Sequence, residues 1–584
     1  MKALQYLNKY FIKYKYRLLL GVIITIFSNI LTLEVPRLIR QSVNAAEDYS
    51  NGLITDLTVV KTELLTNILF IIGAALLSGF LTFLMRQLII VTSRLIEFDL
   101  KNEIYAQYQR LSLNFYKKNR TGDLMNRISE DVSKVRMYFG PAIMYSINML
   151  VLFIVAIIKM YNIDPVLTTY TLLPLPILSI LIYVLSRVIH KRSTVVQEFL
   201  SKLTASSQET FSGISILKSY GIEERTMAEF EVLATSAKEK NINLYKAQAL
   251  FYPIMILLIG ISNILVIYIG GLRYIDGTIK LGVIAEFIMY VNMLTWPVAV
   301  VGWVTSMVQQ AEASQKRINE FLKQEPEIKN NIAEPTQIIG NITFKNVSFI
   351  YEDTNITALK NVSFNIEQGK TFAILGNTGS GKSTIVSLIA RLYDISDGEI
   401  LIDSKNITQI NLDNLRQSIG FVPQEAFLFS DTIKNNIKFG AENATDEEIE
   451  TAAKKAYIHH NIIEFNKGYD TFVGERGITL SGGQKQRVSI ARAIIKLPKI
   501  LIFDDCLSAV DTETEEIILN NLAEVSKNKT TLIVSHRVSS VKNADTIIVL
   551  QNGQIIQQGT HNELVNINGY YKELFEQQLL EKDI

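Results

Sequence analysis

Uncharged, apolar stretches dominate the first half of the chain and vanish from the second. They run over residues 64–85, 137–158, 165–186, 247–272 and 287–311. A sixth, 18–33, reaches about residue 39 if Glu34 and Arg37 sit at the water interface. A membrane-crossing helix takes about 20 mostly apolar residues. The pattern therefore predicts six spans, and none after 311. Segments 92–110 and 188–208 keep apolar positions at helical spacing, as in Leu95, Ile96, Leu100 and Ile104. They predict membrane helices that continue well into water on one side. Connections at 159–164 and 273–280 are tight, whereas the loop 40–63 is longer. Residues 312–337 turn polar and end in Glu334-Pro335, which predicts a linker. From 338 onward, short β-rich runs alternate with helical patterns, as in a parallel α/β domain. The expected division is a transmembrane domain over 1–311, a linker over 312–337 and an α/β domain over 338–584.

Charge adds orientation. Ten Lys/Arg lie in 86–136 and nine in 187–246, against five in the other three loops: Arg40, Lys61, Lys159, Arg273 and Lys280. The positive-inside rule places the two rich loops, both termini and the α/β domain in the cytoplasm. The basic N-terminus, with Lys9, Lys13, Lys15 and Arg17, is followed by too long an apolar run for a signal peptide and reads as a retained span. Across the chain, 58 Lys/Arg balance 57 Asp/Glu, so no global charge points to nucleic acid. The mean hydropathy of +0.20 reflects the spans. One cysteine, Cys506, excludes an intramolecular disulfide and reads as a small buried residue.

The chemistry centres on Gly376-Asn377-Thr378-Gly379-Ser380-Gly381-Lys382-Ser383-Thr384, between the apolar runs Thr371–Leu375 and Ile385–Ile389. This is strand, glycine loop and helix, matching G-x-x-x-x-G-K-[ST]. In that pattern backbone N–H groups and a helix N-terminus cradle phosphate oxygens. Glycines allow the tight turn and leave no side chain in the anion's way. Lys382 is expected to reach the β- and γ-phosphates, and Ser383 to offer its hydroxyl to Mg²⁺. A second acidic site belongs at the end of a buried strand. Lys499-Ile500-Leu501-Ile502-Phe503-Asp504-Asp505 supplies it, apolar throughout as a strand covered on both faces should be. Asp504 is the expected metal holder, through water. Between these motifs lies Leu480-Ser481-Gly482-Gly483-Gln484, and beyond them Leu532–Ser535 ends at His536.

Together these residues resemble an ATP-binding cassette, and the whole chain resembles an ATP-binding cassette exporter half-transporter. The resemblance implies a six-span α-helical domain joined to an α/β P-loop ATPase domain, with ATP and Mg²⁺ as cofactors. It implies that Tyr351 stacks on adenine and that Gln424 senses Mg²⁺. It implies that His536 contacts the γ-phosphate and that Asp511 crosses to a second cassette. Each ATP would lie between the Walker residues of one chain and the signature Ser481, Gly482, Gly483 and Gln484 of the other. Val473–Gly477 looks like the exporter-specific loop beside the signature. Phe115–Gly122 and Glu209–Lys218 resemble the segments that couple cassette to membrane domain.

One position departs from the family. The residue after the Walker B aspartate is usually a glutamate, the base that polarises the attacking water; here it is Asp505. Its carboxylate is shorter by about 1.5 Å, one C–C bond. A general base must lie within hydrogen-bond reach and is worth about 10²–10⁴-fold in rate. The chain thus resembles the degenerate-site subunit of bacterial heterodimeric multidrug exporters. Such a subunit holds ATP, hydrolyses it slowly and lends its signature to a partner's site. The implied partners are a second half-transporter, the bilayer of the cytoplasmic membrane and a small amphipathic drug or lipid-like solute. A homodimeric lipid flippase and an ATP-gated channel or sensory subunit are the alternatives. In the spans, Met289, Met293, Trp296, Trp303 and Met307 share a face that suits helix packing, lipid contact or a drug cavity. Glu34 and Glu286 are candidates for meeting a cationic solute or for interfacial placement. His190, His459, His460 and His561 show no metal spacing.

Overall fold

The computed structural model describes residues 2–507 and 512–582, and the chain separates into two compact units. One comprises residues 1–109 and 121–324, the other 110–120 and 325–584.

The first unit holds six helical stretches long and apolar enough to cross a membrane: Lys15–Ser50, Leu57–Arg110, Thr121–Ile163, Pro165–Ser212, Glu223–Ile275 and Leu281–Leu322. They outrun the apolar cores because their polar continuations remain amphipathic. In the last stretch Ala311, Ser314, Gln315, Ile318 and Phe321 are buried at helical spacing while their neighbours face water. The polar shift at 312, expected to open the linker, therefore lies inside a helix that ends at Leu322. The loop expected over 40–63 is mostly helix as well, continuous to Ser50 and resuming at Leu57.

Leu33, Ala156, Met160, Leu178, Val266, Phe287 and Tyr290 form the largest apolar cluster of this unit. Ion pairs tie the predicted outer ends of the spans. Arg40 meets Glu286 at 2.9 Å, Lys159 meets Glu34 at 2.5 Å, Arg273 meets Asp164 at 2.6 Å and Lys280 meets Asp48 at 2.7 Å. Glu286 also accepts from the Tyr290 hydroxyl. Glu34 and Glu286 are thus held by the protein's own cations.

The second unit contains two sheets. Strands β1 (Ile342–Tyr351), β2 (Ile356–Ile366), β4 (Asp397–Ile402) and β5 (Lys405–Asn406) form an antiparallel sheet in the order β2-β1-β4-β5. The other strands are β3 (Thr371–Leu375), β6 (Ile419–Val422), β7 (Ile500–Asp504), β8 (Thr530–Ser535), β9 (Thr546–Gln551) and β10 (Gln554–Gly559). Their order is β10-β9-β3-β8-β7-β6, parallel except for the β9–β10 hairpin. All five residues of β7 are buried, as the unbroken apolar run required. Helix Lys382–Ile389 packs between the sheets through Ile385 and Ile389, beside Ile374, Leu532 and the stacked rings of Phe344, Phe364 and Phe372.

Candidate nucleotide-binding site

Sheet order builds the site. In open parallel sheets, ligands bind beyond the carboxyl ends of the strands. Here β3, β8, β7 and β6 are consecutive neighbours. Their ends deliver, in a row, the glycine loop, His536, Asp504-Asp505 and the segment holding Gln424. No single motif encodes that row; the parallel pairing does.

The glycine loop follows β3 because its backbone admits nothing larger. At Gly376 a Cβ would stand 2.2 Å from the Leu550 carbonyl oxygen. At Gly381, with φ of +101°, a Cβ would stand 2.4 Å from the Ala358 oxygen. Helix Lys382–Ile389 starts directly after this loop and aims its free N–H groups into the site. The Lys382 ammonium donates to the carbonyls of Gly376 and Asn377 at 2.7 and 2.9 Å, so it already lies along the loop. Burial pulls its pKa below the ordinary lysine value, against the raising influence of Asp505 and Asp504.

The Ser383 hydroxyl donates to Asp504 Oδ1 at 3.0 Å. Hydroxyl and carboxylate thus converge on one point, a hard-oxygen pair of the kind that holds Mg²⁺ together with substrate phosphate and water. Burial raises the Asp504 pKa, and the Ser383 bond lowers it in part. No cluster of three or more His, Cys, Asp or Glu that could hold a metal exists among the described residues. His459 and His561 instead pair with the hydroxyls of Tyr469 and Tyr571.

Asp505 has a left-handed backbone, φ +46°. Its carboxylate lies 3.0 and 3.1 Å from His536 Nδ1 and accepts from Gln424 Nε2 at 3.4 Å. Tyr351 ends β1, with its hydroxyl 3.1 Å from Thr384 Oγ1 and its ring edge-on to Tyr393. These groups border one cavity of about 640 Å³, shared by Tyr351, Thr378, Gly379, Gly381, Lys382–Thr384, Gln424, Asp504, Asp505 and His536.

The signature lies apart from this cavity. Ser481 caps helix Gly482–Ile495: its hydroxyl accepts from Gln484 N, and Gln484 Oε1 accepts from Ser481 N at 3.0 Å. Ser481 and Gly482 are exposed, so this helix start is open to another molecule. Gln486, four residues beyond Gly482 in the same helix, donates to the Gln424 carbonyl at 3.3 Å. Asp511 lies outside the described residues.

Sequence reasoning missed Lys117. The short helix Leu113–Lys118 belongs to the cassette unit, where Asn114 donates to Glu327. It brings the Lys117 ammonium to 4.6 Å from the Tyr351 ring centre and 4.8 Å from that of Tyr393. Tyr570, which hydrogen-bonds Asn377, was equally invisible. Lys117 falls in the segment that resembles a coupling element, which does not point to Tyr351, and Tyr570 belongs to no motif; only the fold puts them there.

Residues 18–298 match the ABC transporter transmembrane region family, and residues 359–508 match the ABC transporter family. The multidrug resistance-like ATP-binding protein MdlA of Escherichia coli is 37% identical over 86% of this chain and 85% of its own length. The chain belongs to the ATP-binding cassette exporters. The MdlA of Buchnera aphidicola is 35% identical over 100% of both chains. A bacterial Atm1-family ABC exporter, solved with ATP bound, superposes with a TM-score of 0.79 over 98% of this chain and 99% of its own, at 27% identity. The exporter is therefore a multi-pass membrane protein whose cytoplasmic cassette couples ATP hydrolysis to transport.

Proposed function

We infer that this exporter subunit works in a heterodimer, binds ATP firmly in its own Walker site, hydrolyses it slowly and completes a competent site on its partner. The observation that carries this is Asp505, where the reacting water calls for the longer glutamate. Its carboxylate hydrogen-bonds His536 and Gln424 within the site, and reaching further toward a γ-phosphate means leaving them. Lys382 and the glycine loop hold the phosphates, Ser383, Gln424 and Asp504 hold Mg²⁺, and Tyr351 supports the adenine. Mg²⁺ would neutralise charge on the transferred phosphate. The open start of the signature helix, with Ser481 and Gln484, serves the partner's nucleotide. Asp511 belongs to the same cross-dimer contact. The coupling segment around Gly213 supports a second chain, since Phe211, Ile216 and Tyr220 expose 73%, 63% and 77% of their surface. The transported solute is an amphipathic drug or lipid-like molecule.

The test is ATPase activity of the purified chain alone and with a candidate partner. The expected result is slow turnover alone, fast turnover together, and a gain of about 10²-fold in the chain alone for Asp505→Glu. Brisk hydrolysis by the unaltered chain, or a native mass showing two copies of it, would refute the assignment.

A further inference from the structure

The membrane unit contains a cavity of about 1060 Å³ between the third, fourth, fifth and sixth spans. That is the scale of a site for a drug-sized or lipid-like molecule. The Met–Trp face of the sixth span does not line it. Met307 is buried, and Trp303 packs on Tyr145. The lining comes from the neighbouring face, through Pro297, Val298, Val301, Gly302, Thr305 and Ser306.

The cavity wall is graded. At mid-span depth it is apolar: Phe153, Ile154, Ile182 and Val298. Towards the cytoplasmic ends it turns polar, with Ser186, Thr305 and Ser306, and then cationic, with Arg187, His190 and Lys191. Among the described residues, no carboxylate lines it. At the predicted outer ends of the spans, Arg40, Lys159, Arg273 and Lys280 each have an acidic partner. The cavity cations have none among the described residues. Arg187 lies over the ring of Tyr183, itself a lining residue, with its guanidinium 4.6 Å from the ring centre. It is braced by an aromatic face and left without a counter-ion. The two carboxylates considered for a cationic solute, Glu34 and Glu286, are already engaged.

We propose that this cavity binds an amphipathic anion, with its apolar tail against Phe153, Ile182 and Val298 and its acidic head on Arg187 and Lys191. The inference rests on the exporter moving an amphipathic solute and names that solute's charge. Oriented tail-in and head at the cytoplasmic rim, such a molecule would enter from the inner leaflet or from the cytosol. Anionic phospholipid and soluble alkyl carboxylate share the chemistry.

The chain carries two tryptophans. Trp296 and Trp303 adjoin the lining residues Pro297 and Gly302, so brominated amphiphiles report binding by quenching. The purified full chain in nonionic detergent is titrated with bromo-dodecanoate and with a zwitterionic and a quaternary ammonium amphiphile of the same chain. Dibrominated phosphatidylglycerol and phosphatidylcholine in nanodiscs form the lipid arm. The expected result is a preference of about tenfold for the anion over the zwitterion in at least one arm. The arm that shows it identifies the source. Arg187→Gln with Lys191→Gln should abolish that preference, and Lys191→Glu should move it toward the cation. Equal affinity for all head groups in the unaltered chain, or a preference untouched by these substitutions, would overturn the proposal and leave the cations as solvated helix ends. Hydrolysis by the two-chain complex is read separately. Its failure would count against the heterodimer and leave the charge preference measurable.

Discussion

Lys382 in the cassette and Arg187 in the membrane unit are both cations bordering a cavity, yet their surroundings differ. Lys382 is anchored to two loop carbonyls, half-buried and faced by Asp504 and Asp505. Arg187 is exposed and braced only by Tyr183. The first belongs to a site where backbone geometry dictates each atom's place, because a phosphate group has one shape. The second belongs to a wall whose selectivity is the sum of a charge gradient and many apolar contacts. A phosphate site concentrates its energy in few residues, and an amphiphile cavity spreads it. A third kind of cation, Arg40 on buried Glu286, serves the fold itself.

That contrast can be broken in order of expected effect. Glu286→Leu leaves Arg40 without its partner and should cost about 3–5 kcal/mol in the membrane unit. Thermal unfolding in detergent would show it, and Arg40→Met added to Glu286→Leu should restore much of the loss. No change on the single substitution would remove the structural class of cation. Lys382→Ala should weaken Mg-ATP about 100-fold by calorimetry, since it removes a charge-assisted contact to phosphate. A loss under fivefold would mean the glycine loop carries binding alone.

Asp504→Asn separates function from stability. Burial raises this carboxyl's pKa in the folded state, so the group favours folding below the usual carboxylate range and loses that contribution as pH rises through its folded value. The nucleotide-free variant should therefore melt higher than the parent at neutral pH, and the gap should close on acidification while Mg-dependent ATP binding is lost. Ser481→Ala should cost about 1 kcal/mol through the lost helix cap. It should slow hydrolysis in the two-chain complex more than in the chain alone. Arg187→Gln should shift stability by no more than about 0.5 kcal/mol, as expected of an exposed group with no ion pair. A large loss there would make Arg187 structural and erase the comparison.

Much of this was legible from the chain text, and the misses are instructive. Six apolar runs read as spans because length alone separates a membrane crossing from a buried helix. The polar shift at 312 misled because Ser314 and Gln315 are polar yet buried: the Ser314 hydroxyl bonds Asp131 at 2.9 Å and satisfies its polarity internally. Composition registers the polarity and cannot register the partner. The Met–Trp stripe was visible by spacing, but which side of a helix meets a cavity depends on where three other helices stand. Lys117, more than 200 residues from Tyr351 in sequence, could not be placed without the fold.

The amino-acid order by itself determined the six crossings, their orientation, the phosphate loop, the acidic strand end and the aspartate at 505. Each of these is local, set by run length, charge count or a backbone turn that only glycine permits. Tertiary structure alone decided that β3, β8, β7 and β6 stand side by side, so that Lys382, His536, Asp505 and Gln424 meet. It also decided which cations are spent on carboxylates and which are left facing a cavity, because pairing depends on distances between segments that no local pattern records.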